Sequence, residues 1–78
     1  MMLNEKKIIS LVSKALKEKI NLASNVNNTE NWDSLGHLQI LASLDKASKG
    51  KISKISELSD VNSVKSILKI LKKKKIIK

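Results

Sequence analysis

One serine in the middle of the chain occupies a position where its hydroxyl could accept a chemical group. Asp33, Ser34 and Leu35 follow a loop rich in Asn and open an apolar segment with helical spacing that runs to Leu44. The first N–H groups of a helix have no partner within it, and the positive end of the helix dipole lies beside them. A phosphate is favoured at such a position. Ser34 is therefore a candidate site for chemistry that involves a phosphate.

His37 lies three residues after Ser34 and raises the alternative of a Ser–His pair for nucleophilic catalysis. This spacing is usually incidental in a helix, and no carboxylate is placed to orient the imidazole ring. We therefore expect no catalytic residues and no enzyme activity. The chain has one His and no Cys, so we expect no metal site either.

The formal net charge of +9 makes electrostatic binding of nucleic acid the alternative function. All the basic residues are Lys, so the forked contacts that Arg makes with phosphate and guanine are missing. Trp32 is the only aromatic residue, which leaves no platform for stacked bases. We therefore expect no specific recognition of nucleic acid. A/T-rich codons would also contribute to the abundance of Lys.

The hydrophobic periodicity predicts an all-α fold, a small four-helix bundle with three longer helices and a short third one. The first helix covers residues 3–20, the second residues 34–49 and the third residues 54–59, and Asn62 caps the last. Apolar residues at helical spacing mark the buried face of the last helix: Val64, Ile67, Leu68 and Leu71.

Polar residues and Gly50 punctuate these helices. Asn4 is predicted to cap the first helix and Asp33 or Ser34 the second, which Gly50 follows in a left-handed conformation. The polar segment of residues 21–31 is predicted to be a long ordered loop. Three apolar residues are expected to fix this loop to the core: Leu22, Val26 and Trp32.

The chain of 78 residues is short enough for one domain, residues 1–78, with a core of about residues 3–71. The Lys-rich tail of residues 72–78 is expected to fray. Its lysines could touch RNA, acidic lipid or an acidic enzyme, and a solvated tail is the simpler interpretation. No apolar run reaches the length of a membrane span, and the N-terminus lacks the apolar core of a signal peptide. We expect a cytoplasmic monomer.

The second helix carries more apolar surface than one buried face requires. One side is assigned to the core: Ile40, Leu41 and Leu44. A neighbouring side begins beside Ser34 and carries a second set: Leu35, Leu38 and Ala42. Because this second side is not needed for the core, it is predicted to be a docking face.

The run from Trp32 to Leu38 resembles the prosthetic-group attachment site of acyl carrier proteins, in the form found in stand-alone carriers. The resemblance extends from about residue 3 to residue 71 and includes Gly50, Ile52 and the entry to the last helix at residues 61–64. It implies a bundle of three long helices with a short one between the second and the last. It also implies a modified serine at the start of the second helix.

The resemblance implies that Ser34 carries 4′-phosphopantetheine, which a phosphopantetheinyl transferase moves from coenzyme A. The thiol of this arm would hold an acyl or aminoacyl group as a thioester. Three neighbours are implied at the prosthetic group: Asp33, Leu35 and His37. Docking on acyl-loading and acyl-transferring enzymes would use a second set: Leu35, Leu38, Ala42 and Asp45. Because Gly36 has no side chain, it would leave room at the start of the helix for the arm or a partner.

The chain departs from the family pattern in two respects. The family's second helix is usually acidic, whereas here Asp33 and Asp45 are its only acids, and three lysines crowd its far end: Lys46, Lys49 and Lys51. This predicts partners with a weakly charged or acidic surface. Ser48 stands where the family has a large apolar side chain. The interior that could shelter cargo is therefore expected to be shallow, with four lining residues: Ile40, Leu41, Leu44 and Ile52.

Overall fold

Three α-helices and two short 3₁₀ helices form the fold of residues 3–77, the part of the chain that this computed structural model describes. The α-helices are α1 (Glu5–Leu16), α2 (Ser34–Ala47) and α3 (Val64–Lys73), and the 3₁₀ helices cover Ile52–Lys54 and Ser56–Asp60. No strand forms within residues 3–77, which confirms the prediction of an all-α fold.

The first helix has the predicted cap, but it begins at Glu5, two residues after the predicted start, and it ends earlier than predicted. The Asn4 side chain accepts a hydrogen bond from the N–H of Lys7 at 2.8 Å, so Asn4 is the N-cap. The helix ends at Leu16 because Lys17 has a left-handed φ of 54°. Ile20 is buried, so the apolar pattern continues although the backbone has left the helix. The predicted end at residue 20 was therefore wrong.

The second helix begins after one of the two expected caps; its C-cap is Ser48, and Lys49 and then the expected Gly50 have a positive φ. The Asp33 carboxylate accepts a hydrogen bond from the N–H of Gly36 at 2.8 Å, which makes Asp33 rather than Ser34 the cap. The helix ends at Ala47, two residues before the predicted end. Gly50 has a φ of 87°, and its N–H donates to the carbonyl of Asp45 at 2.9 Å, which closes the helix end.

The segment after Gly50 forms two 3₁₀ helices instead of one short helix over residues 54–59. The break falls at Ile55, which has an extended backbone. The buried residues of this segment are Ile52, Ile55 and Leu58. Their three-residue spacing matches the three residues per turn of a 3₁₀ helix, whereas an α-helix would rotate them off one line.

The last helix buries the predicted apolar residues, but its predicted cap was wrong. Ser63 is the N-cap, and its Oγ accepts a hydrogen bond from the N–H of Ser66 at 3.1 Å. The carbonyl of Asn62 instead accepts from the N–H of Val26 at 2.9 Å, which joins the long loop to the helix entrance. All four residues of the predicted stripe are buried: Val64, Ile67, Leu68 and Leu71.

The C-terminal tail packs on the domain as far as it is described, so the prediction that it frays was wrong. Ile77 is buried and forms an isolated parallel bridge with Leu3. The N–H of Ile76 donates to the carbonyl of Leu71 at 2.9 Å. Two apolar residues after the lysines thus return the chain to the core. Lys78 lies outside the described residues, as do Met1 and Met2.

The helices define two ends of the domain. The last residue of α1, Leu16, lies beside Gly36 at the start of α2, so these helices are antiparallel. α3 also starts at this end, where Ser63 bridges Asn25, and it finishes beside Leu3. We call residues 14–38 and 58–66 the Ser34 end. The lysine end comprises the rest of the described chain: residues 3–13, 39–57 and 67–77.

Gly36 allows the loop before α2 to pass against the first turn of that helix. A Cβ at this buried glycine would lie 2.1 Å from the carbonyl oxygen of Asn31 and 2.9 Å from the Leu16 Cδ2. The Asn31 side chain also donates to the carbonyl of Leu16 at 2.8 Å. Gly36 therefore faces the interior, and the expectation that it gives room to an arm or a partner was wrong.

Replacing Gly36 with Ala should destabilise the fold, because the new methyl group meets a backbone carbonyl that cannot move aside alone. We expect a loss of about 1–3 kcal/mol in the free energy of unfolding, measured by urea denaturation. Gln39→Ala is the control, since Gln39 is exposed on the same helix and is expected to cost less than about 0.5 kcal/mol. Equal stability of Gly36→Ala and the control would contradict this packing.

Lysines of the tail pair with glutamates elsewhere in the fold. Lys72 lies 3.1 Å from Glu5, and Glu57 lies 3.1 Å from Lys74 and 3.5 Å from Lys73. The hydrogen bond from Lys74, together with the charge of both lysines, lowers the pKa of Glu57 below its ordinary value of 4.5. A carboxyl group whose pKa is lowered by folding stabilises the fold at pH values above its pKa in the unfolded chain. This stability is lost as the pH falls through its pKa in the folded chain.

We therefore expect Glu57→Gln to lower the melting temperature at neutral pH. At about pH 2 the variant should melt like the parent chain, because the Glu57 side chain is then protonated and as neutral as Gln. The control is Glu30→Gln, an exposed glutamate for which no ion pair forms among the described residues. A melting-temperature difference for Glu57→Gln that is the same at both pH values would show that the ion pairs are not its cause.

Candidate functional site

Ser34 is the first residue of α2, and its side chain is exposed. Because Asp33 provides the cap, the Ser34 hydroxyl is not used for capping. Among residues 3–77, no hydrogen bond engages the hydroxyl or N–H of Ser34, or the N–H of Leu35. A nucleophilic oxygen and two backbone donors therefore lie together at a helix N-terminus, as the sequence predicts.

The loop that leads to Ser34 is held by its own asparagines. The Asn25 side chain accepts from the N–H of Asn28 at 3.1 Å, and the Asn28 side chain accepts from the N–H of Asn25 at 2.8 Å. Leu22 and Val26 are 45% and 37% exposed, so the expectation that they fix the loop to the core was wrong. Trp32 is 4% exposed, which confirms its predicted packing role. Polar side chains hold the rest of the loop, because they accept hydrogen bonds from its backbone N–H groups.

The Glu18 carboxylate ties the end of this loop to the turn after α1. It accepts hydrogen bonds from the N–H of Glu30 at 3.3 Å and from the N–H of Asn31 at 2.9 Å. The loop is therefore attached at Glu18, at Leu16 through the Asn31 side chain and at the cap of α2. These three attachments fix the loop before Ser34 to α1 and α2.

The His37 ring joins the loop, α2 and the second 3₁₀ helix. Its Nδ1 lies 3.3 Å from the Trp32 Nε1, which donates to it, and its Nε2 lies 3.1 Å from the carbonyl of Leu58. The neutral tautomer with hydrogen on Nε2 satisfies both contacts, and we assign it on this pattern. Both ring nitrogens thus have protein partners, whereas the sequence predicts contact with a phosphate or a partner.

A groove of about 490 Å³ lies next to Ser34, open to the surface. One side comes from the loop and α2: Val26, Trp32, Asp33, Ser34, His37 and Leu38. The other side comes from the second 3₁₀ helix and the residue after it: Ser59, Asp60 and Val61. The groove is mainly apolar, with carboxylates of Asp33 and Asp60 and no lysine among its lining residues.

Ser59 and Asp60 are the site residues that sequence reasoning missed. They are far from Ser34 along the chain, and no local motif links them to it. The one available signal is the apolar spacing of Ile55, Leu58 and Val61, all of them buried. That spacing indicates a 3₁₀ turn whose intervening residues face outward.

The predicted docking residues divide into two groups. Leu35 and Leu38 are 65% and 62% exposed, and Ala42 is exposed beside them. Exposed apolar side chains on a helix that already buries another face fit a docking surface. Asp45 is half-buried, and its carboxylate accepts from the N–H of Ser53 at 3.0 Å. Asp45 thus holds the first 3₁₀ helix against α2.

A second groove, of about 360 Å³, lies between α2 and the 3₁₀ helices. Leu41 and Ile52 line it, as expected of a cargo interior, whereas Ile40 and Leu44 are fully buried in the core. Three serines are also among its lining residues: Ser53, Ser56 and Ser59. Ser48 is buried, and its hydroxyl donates to the carbonyl of Asp45 at 3.2 Å.

Comparisons of the chain with protein-family models, curated proteins and solved structures gave no match. Within residues 3–77, no group of three or more His, Cys, Asp or Glu side chains could hold a metal ion. Over the same residues, no helix is both long enough and apolar enough to cross a membrane. Inferences about function therefore rest on the geometry around Ser34 and on the sequence motif.

A double-mutant cycle tests the bridge between Trp32 and His37. Trp32→Phe removes the donor and His37→Ala removes the acceptor. The double variant should therefore lose about 1 kcal/mol less unfolding free energy than the sum of the two single losses. Trp32→Phe combined with Gln39→Ala is the control pair and should be additive, because Gln39 is exposed and makes no side-chain hydrogen bond with the described residues. Additivity of the Trp32 and His37 losses would contradict the assigned hydrogen bond.

Proposed function

We propose that this protein is an acyl carrier whose active form bears 4′-phosphopantetheine on Ser34. The observation that carries the proposal is the exposed, unengaged hydroxyl at the first residue of α2, within the motif from Trp32 to Leu38. In this proposal the domain is a four-helix bundle of the acyl-carrier type. The two 3₁₀ helices occupy the place of its short third helix.

The residues around Ser34 suit the attachment chemistry. The Ser34 oxygen would form a phosphodiester with the phosphate of the pantetheine arm, 3′,5′-ADP would leave coenzyme A, and the hydroxyl proton would pass to a base of the transferase. The N–H groups of Ser34 and Leu35 are available to the new phosphate. The attached arm supplies a thiol that holds cargo as a thioester. This chain thus provides a nucleophile and a phosphate site, and the transferase provides catalysis.

The surroundings of Ser34 also suit partner enzymes. Leu35 and Leu38 offer apolar contacts, and the groove beside Ser34 offers an apolar wall. The lysines that crowd the far end of α2, Lys46, Lys49 and Lys51, lie at the lysine end. The charge that a partner meets at Ser34 is therefore more balanced than the net charge of +9 suggests. Partners with a weakly charged surface fit this arrangement.

Incubation with coenzyme A and a broad-specificity phosphopantetheinyl transferase tests the proposal. The intact mass should increase by one phosphopantetheine group, and Ser34→Ala should abolish the increase. Ser56→Ala is the matched control, because Ser56 is another exposed serine at the first residue of a short helix. This control variant should be modified like the parent chain.

Two results would contradict the carrier proposal. One is an unchanged mass of the parent chain although a known carrier is modified in the same reaction. The other is modification of Ser34→Ala to the same extent as the parent. An unmodified chain whose affinity for nucleic acid falls steeply with salt would favour the electrostatic alternative.

A further inference from the structure

The lysines of this protein are concentrated at one end. The lysine end has a formal charge of +8, because it carries eleven lysines and three acids. The acids are Glu5, Asp45 and Glu57. The lysines are all exposed: Lys6, Lys7, Lys46, Lys49, Lys51, Lys54, Lys69, Lys72, Lys73, Lys74 and Lys75. The Ser34 end has a formal charge of zero, because it carries four lysines and four acids. The lysines are Lys14, Lys17, Lys19 and Lys65, and the acids are Glu18, Glu30, Asp33 and Asp60. A uniform compositional bias toward Lys would not separate the charge in this way.

The outermost residues of the two ends are far apart on the scale over which salt screens charge. α2 joins them and has 14 residues, which corresponds to about 20 Å at 1.5 Å per residue. This length is more than twice the Debye length of about 8 Å at physiological ionic strength. A partner at one end therefore experiences little of the charge at the other end.

We infer that the lysine end binds the surface of a bilayer that contains anionic lipids, with Ser34 facing away from it. Clustered lysines are attracted to such a surface by about 1 kcal/mol each. The lysine end is formed by parts of separate elements: the start of α1, the end of α2, the first 3₁₀ helix and the end of α3. Charge spread over one end of a domain matches a plane of headgroups better than the line of phosphates in a nucleic acid.

Two further observations favour lipid over nucleic acid. The chain has no Arg, and its only aromatic residue, Trp32, is buried at the Ser34 end. Forked phosphate contacts, base readout and base stacking are therefore missing from the lysine end. Lysine ammonium groups alone are sufficient for attraction to anionic headgroups.

The binding would be peripheral. The large apolar residues of the described chain that are exposed are Leu22, Val26, Leu35 and Leu38, and all four belong to the Ser34 end. The apolar face of α3, including Ile67 and Leu71, is buried in the core. α3 therefore has no free apolar face to insert into a bilayer, and charge provides the attraction.

Flotation with vesicles of phosphatidylcholine and phosphatidylglycerol tests this inference. The parent chain should bind these vesicles, release them as salt is raised and ignore vesicles of phosphatidylcholine alone. A variant of the lysine end with Lys51→Gln, Lys54→Gln and Lys69→Gln should bind about 100-fold more weakly. The charge-matched control variant of the Ser34 end has three other substitutions: Lys14→Gln, Lys17→Gln and Lys19→Gln. It should bind within about threefold of the parent.

Three results would overturn the inference. They are equal weakening of binding in both triple variants, absence of binding to the anionic vesicles, and tighter binding to double-stranded RNA at the same phosphate concentration. Melting temperatures of both variants check that they are folded. None of these measurements uses Ser34, so they can fail while the carrier proposal stands, and the reverse also holds.

The orientation can be measured because the chain has no Cys. A polarity-sensitive fluorophore attached to Lys51→Cys should change its emission when anionic vesicles are added. The same fluorophore on Ser34→Cys should not change, because that residue is expected to face away from the bilayer. A change at Ser34→Cys that equals the change at Lys51→Cys would overturn the proposed orientation.

Discussion

The close passage of the loop against Gly36 is the constraint on which the Ser34 site depends. Only a residue without a side chain allows the carbonyl of Asn31 to lie against the first turn of α2. The loop can then deliver Asp33 to the cap position, and the cap leaves the Ser34 hydroxyl free. Contacts from Leu16 and Glu18 hold the same loop from the other side. The exposure of one hydroxyl thus follows from the packing of a buried glycine.

Local signals in the sequence were sufficient where one residue decides the structure. Asn4 and Asp33 cap their helices with their own side chains, and Gly50 takes a positive φ shortly after the end of α2, so each could be predicted. Ser63, and not Asn62, caps α3, and the carbonyl of Asn62 pairs with Val26, a partner far along the chain. Such a contact leaves no trace in a local pattern.

The other differences between prediction and structure also come from contacts between residues that are far apart along the chain. The tail was expected to fray because its lysines are polar, but Ile77 meets Leu3 from the other terminus. The groove beside Ser34 was not foreseen because one of its walls comes from Ser59 and Asp60. The caps of α1 and α2 are set by neighbours in sequence, whereas grooves and docked tails are set by tertiary packing. The charge-balanced Ser34 end and the lysine end likewise emerge only after folding.

We propose that the Ser34 hydroxyl is a tether for a phosphopantetheine arm in the cell. Fragmentation mass spectrometry of the intact protein, purified from the cells that produce it naturally, tests this claim most directly. We predict a population that bears one phosphopantetheine group, with the added mass localised to Ser34. A protein that is entirely unmodified in its own cells, or that carries the group on another serine, would contradict it.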